Sequence, residues 1–92
     1  MISASEMRER QRNKELAEFI YWDEKVISNK LREISFNSRD NTTPITIYKR
    51  WHDIDFDKVI QMIINELESK GYNVEFTENE KRYGYVTIQI SW

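Results

Sequence analysis

Apolar residues along this chain recur with two distinct periods. From Phe56 to Lys70 they fall three and four apart, at Phe56, Val59, Ile60, Ile63, Ile64 and Leu67. That spacing predicts a helix with one apolar stripe. After Gly71 the period becomes two: Tyr72, Val74 and Phe76 alternate with Asn73, Glu75 and Thr77, and Val86, Ile88 and Ile90 alternate with Thr87, Gln89 and Ser91. Each run reads as a strand with one apolar face. Ile45 and Ile47 set against Thr46, Tyr48 and Arg50 mark an earlier half-buried strand over Ile45–Trp51. The helix stripe needs a sheet to cover, and the three apolar strand faces supply one.

Helix ends are marked in the sequence. Asp55 is placed to cap the second helix, with Ile54 and Val59 as a hydrophobic staple, and Lys70-Gly71 closes it with a glycine that lets Tyr72 contact Leu67. Ser3-Ala4-Ser5-Glu6 has the form of a capping box, with Ile2 and Met7 as its staple. No proline or glycine follows until Pro44, so one helix is expected from about Ser5 to about Ile34. Some 30 residues of helix would be about 45 Å long, against a domain on the order of 30 Å across. Residues 1–15 are therefore expected to project, and Arg8–Lys14 contains no apolar residue. On a regular helix Leu16, Ile20, Ile27, Leu31 and Ile34 share one arc, while Phe19, Trp22 and Val26 form a second beside it. Two readings follow: one wide face sunk in the chain's own core, or a second stripe at Phe19, Trp22 and Val26 that serves as an oligomer interface. Asp23 and Lys30 lie between the arcs and break a heptad seam.

The turn formers of residues 37–44 connect this helix to the first strand. The expected architecture is α+β: a long N-terminal helix followed by β-α-β-β, in a two-layer sandwich with a three-stranded mixed sheet, as a single domain over 1–92. If the first two strands are neighbours, they are parallel through a right-handed crossover. The unbroken Val86, Ile88, Ile90 pattern favours a central place for the last strand instead.

Composition narrows the chemistry. A formal charge of −2 with 33% charged residues of both signs gives no global field toward nucleic acid or anionic lipid. No apolar run approaches the roughly 20 residues that span a bilayer, and Met1–Lys14 lacks a signal-peptide core. The expectation is a soluble protein of the cytoplasm, without membrane association. With no cysteine there is no disulfide framework or thiolate metal site, and two glycines, Gly71 and Gly84, cannot build a phosphate-cradling loop. His52-Asp53-Ile54-Asp55-Phe56-Asp57 opens like a calcium loop, but Lys58 and Ile64 stand where its glycine and glutamate belong, so these aspartates read as helix caps. His52 has no neighbouring nucleophile motif to serve. Neither metal, cofactor nor catalytic residue is expected, and the chain is read as a non-enzyme.

The most suggestive chemistry is on the outward side of the sheet, where Tyr48, Tyr83 and Tyr85 would lie with Arg50 on the face of Tyr48. Rings and a guanidinium together can stack and neutralise a nucleotide, and the competing reading is cross-strand tyrosine packing, or cover of these rings by the first helix or a second subunit. Arg8, Arg10, Arg12 and Lys14 add a basic arm, but Glu6, Glu9 and Glu15 dilute it, so nucleic acid is disfavoured.

The opening Met1-Ile2-Ser3-Ala4-Ser5-Glu6-Met7-Arg8, the turn Glu68-Ser69-Lys70-Gly71-Tyr72-Asn73-Val74 and the ending Ile88-Gln89-Ile90-Ser91-Trp92 resemble those of small tailed-phage accessory proteins. The resemblance implies a non-enzymatic homo-oligomer acting on host machinery: a counter-defence protein that sequesters an immune nucleotide signal, or an inhibitor of a host protein. It carries no residue set with it. Two alternatives stand beside it, a virion or assembly component and a small nucleic-acid-binding regulator.

Overall fold

The computed structural model describes residue 1, residues 3–37 and residues 39–92, the side chains of 9–12 and 37 excepted. Helical segments come first: α1 (Ala4–Arg12), α2 (Lys14–Tyr21), a π-helical turn (Trp22–Ile27) and α3 (Ser28–Asn37). There follow β1 (Thr42–Tyr48), α4 (Phe56–Ser69), β2 (Asn73–Glu80), a 3-10 turn (Lys81–Tyr83) and β3 (Tyr85–Ser91).

The expected long first helix is not formed, and the element order changes at its start accordingly. Asn13 leaves the helical region, at φ −116° and ψ 92°, and its side-chain oxygen accepts from the Leu16 N–H at 3.0 Å. Asparagine competes for backbone groups in this way, and the polar stretch before it offers no apolar face to hold a continuous helix against the core. Lys14 pairs with Asp53, and Glu15 accepts from the Asp55 N–H at 3.2 Å, so the first turn of α2 is fastened to the loop before α4. The Ser3 cap forms as expected, with Glu6 N–H on its hydroxyl at 3.1 Å. Ile2 of the expected staple and the Arg10 and Arg12 side chains lie outside the described residues.

Trp22 of one apolar arc and Ile27 and Leu31 of the other are brought onto one ridge by the π-helical turn. In it the N–H of Ser28 donates to the carbonyl of Asp23, five residues back. Glu18, Trp22, Ile27 and Leu31, spaced four, five and four apart, then lie in line on the side that faces the core. A regular helix would have carried Ile27 away from the Trp22 row, and the wider turn absorbs the extra residue.

The sheet order is β1-β3-β2, with both pairs antiparallel. The mixed sheet expected from the sequence is thereby corrected: β1 and β2 run the same way but never meet, because β3 lies between them. Ile45, Ile47, Val86, Ile88 and Ile90 face the apolar stripe of α4, and with Ile54, Trp22 and Ile27 they form one core. α4 ends as its sequence predicts: Tyr72 N–H reaches the Leu67 carbonyl at 3.1 Å, Gly71 N–H reaches that of Glu68 at 3.0 Å, and Gly71 has φ 93°. Phe76 departs from expectation. It points to the core side but is 47% exposed, because β2 is an edge strand at the rim of the helical layer.

Candidate functional site

The helices cover one face of the sheet and leave the other open. On the open face the strand register sets out four rows. They are Thr42–Ser91–Asn73, Pro44–Gln89–Glu75, Thr46–Thr87–Glu78 and Tyr48–Tyr85–Glu80. A bulge makes the acidic column. Strict alternation would send Glu78 and Glu80 to the side of Val74 and Phe76, but the register shifts between Phe76 and Glu78, so both join Glu75 on the open face. Three carboxylates thus line the β2 side, where no lysine or arginine stands at an outward strand position. Thr46 and Thr87 share a hydrogen bond at 2.9 Å across the strands.

The structure brings two of the expected site residues together and adds a third nearby. Tyr48 and Tyr85 are cross-strand partners with ring centroids 6.5 Å apart. Tyr83 stands exposed on the adjoining 3-10 turn, with the Arg82 guanidinium 4.8 Å from its ring centroid. Partial burial, and then the charges of Glu78 and Glu80, hold the Tyr85 hydroxyl above the usual phenol range. This end of the face is therefore aromatic, with Glu78 and Glu80 beside Tyr85 and the Arg82 guanidinium beside Tyr83.

Arg50 is not with the tyrosines. Beyond the end of β1 its side chain reaches the helical layer, where Nε lies 3.1 and 3.0 Å from the two carboxylate oxygens of Glu18 and Nη2 lies 2.6 Å from Oε1. Its guanidinium carbon sits 3.5 Å from the centroid of Tyr21. Glu18 is 3% exposed, so a buried carboxylate holds this guanidinium, and that hydrogen bonding raises the Arg50 pKa further. The expected interface stripe is also diverted inward: Trp22 is 5% exposed within the core, and Phe19 and Val26 pack half-buried against it. Trp22 offers no surface to a second chain.

A concavity of about 510 Å³ runs between α3 and the end of α4, lined among others by Asp23, Leu31, Arg32, Glu66, Lys70 and Tyr72. Burial, then Glu66 and Glu24, push the Asp23 carboxyl above its ordinary value, and Lys70 opposes them. Its charges are mixed, and Lys70 lies 3.7 Å from Glu66. The aspartates at the start of α4 and just before it each have a partner: Asp53 has Lys14, Asp55 the Lys58 N–H that it caps at 3.2 Å, and Asp57 Lys81 at 2.8 Å. Among the described residues no three His, Asp or Glu side chains gather as a metal site, and no helix is long and apolar enough to cross a membrane.

Sequence reasoning missed the glutamates of β2. Their density over Asn73–Glu80 was visible, but only the bulge gives them a common face. No protein-family model, curated protein or solved structure significantly matches the chain.

Proposed function

We propose that this protein acts by binding, without chemical turnover, and that the open sheet face receives a protein partner with a basic surface. The observation that carries this reading is the shared face of Tyr48, Tyr85, Glu75, Glu78 and Glu80, with Tyr83 beside it. Tyrosines supply large contact area at little entropic cost and are enriched among residues that dominate binding energy. The carboxylate column selects for positive charge and speeds encounter with it. A nucleotide fits this face less well, since Arg50 is committed to Glu18 and an incoming phosphate meets Glu78 and Glu80. On the resemblance to phage accessory proteins, the basic partner is a host protein whose surface this chain occupies.

Calorimetry of the full chain against a lysine-rich peptide and a panel of linear and cyclic nucleotides tests the reading. The peptide is expected to release or absorb heat and the nucleotides to give none. If each exposed carboxylate contributes about 0.5 kcal/mol, the Glu75→Lys, Glu78→Lys double variant binds the peptide at least roughly fivefold more weakly. Nucleotide binding that Tyr48→Ala abolishes, with no response to the peptide, overturns it.

A further inference from the structure

The outer side of β2 pairs with no described strand, because β2 lies at the end of the order β1-β3-β2. The opposite edge, β1, carries Pro44, which has no N–H to donate to an incoming strand. Resting on the basic-partner reading above, the geometry points to the β2 edge as the place where an extended segment of that partner adds as a fourth strand. Its lysines or arginines alternate over Glu75, Glu78 and Glu80, and its intervening apolar residues lie over Val74 and Phe76. In strand addition, backbone hydrogen bonds supply affinity and alternate side chains supply specificity. Both parts are present here. One side of the edge is a column of carboxylates, of which Glu75 and Glu78 form no ion pair among the described residues and Glu80 has only Arg82, at 3.8 Å. The other side offers Phe76, exposed where a neighbouring strand would cover it. At the start of the edge an open concavity of about 630 Å³ is lined by Glu68, Tyr72, Asn73 and Glu75 among others, and the charged residues of its lining are both acidic.

Charge also identifies what does not dock there. A second copy of this chain, added edge to edge, sets glutamates against glutamates, the arrangement by which edge strands resist self-pairing. The occupant is thus a foreign strand of alternating basic and apolar residues, and the bulge at Thr77 divides its ladder into two short stretches.

The test uses the intact chain with the heptapeptide acetyl-Lys-Val-Lys-Val-Lys-Val-Lys-amide and the same peptide N-methylated at every residue. Methylation keeps the charges and removes the donors that a ladder needs. The unmethylated peptide is expected to bind roughly tenfold or more tightly than the methylated one, and to slow amide exchange within residues 73–80. Equal binding of both, weakened by Glu75→Lys with Glu78→Lys, overturns strand addition while leaving the basic-partner reading intact. Protection confined to β1 also overturns it. Binding of neither peptide overturns both readings.

Discussion

Replacing Arg50 by methionine strips the counter-charge from a carboxylate that is 3% exposed. The Arg50 side chain is itself 36% exposed, so the two halves of the pair are not equivalent. A buried pair broken on one side costs about 3–5 kcal/mol, because the remaining charge keeps its desolvation penalty and loses its partner. Solvent access at Arg50 places Arg50→Met near the lower end, about 3 kcal/mol, with the contact over the Tyr21 ring included. Glu18→Leu leaves a cation that can turn to water, and is expected to cost only about 1 kcal/mol. The double variant removes both charges, so it should recover roughly 1–2 kcal/mol relative to the sum of the singles. Urea unfolding followed by tryptophan fluorescence reads these differences directly, since Trp22 is next to Tyr21, with ring centroids 5.5 Å apart. With a slope of about 1 kcal/mol per molar, Arg50→Met lowers the midpoint by about 3 M. Additive singles, or a loss below about 0.5 kcal/mol for Arg50→Met, would instead show a solvent-screened pair that adds little to stability.

Asn13→Ala removes the cap that begins α2 and should cost about 1 kcal/mol in the same assay, with no change in peptide binding at the sheet. Trp22→Ala empties a core position and should cost about 3–5 kcal/mol, while sedimentation shows the molar mass of the folded protein unchanged. Asp23→Asn tests the sign of a titration. The folded carboxyl has a raised pKa, so its contribution to stability is greatest below the unfolded value and falls as pH rises through the folded one. The variant is therefore more stable than the parent at pH 7, and comparing midpoints at pH 7 and pH 3 should show the gain vanish in acid.

The parts of the fold that were legible in the sequence are those set by local chemistry and a single period. The α4 stripe, its Asp55 cap and its Gly71 close depend on residues within a few positions of one another, and so do the alternating faces of β1 and β3. Three features escaped because each breaks a period through a single residue. Asn13 ends one helix and starts another, although its neighbours Arg12 and Lys14 are good helix formers. The π-helical turn brings Trp22 of one arc into line with Ile27 and Leu31 of the other, which a constant 100° step keeps apart. Thr77, at the bulge, reverses the facing of everything after it in β2, and so converts scattered glutamates into a column. Arg50 illustrates a different limit. Its alternation with Tyr48 is real in the sequence, but β1 ends at Tyr48, and a buried carboxylate 32 residues earlier in the chain draws the guanidinium to the helical layer.

Amide chemical-shift mapping of the isotope-labelled full chain, titrated with the unmethylated lysine–valine heptapeptide and separately with nucleotides, distinguishes a basic protein partner from a nucleotide at the sheet. The peptide is expected to move Val74, Glu75, Phe76, Glu78, Glu80 and Tyr85, on β2 and its β3 partner, while nucleotides at the same concentration move none of them. Peptide shifts confined to the groove of Asp23, Leu31, Lys70 and Tyr72, or nucleotide shifts at Tyr48 and Tyr85, would contradict it.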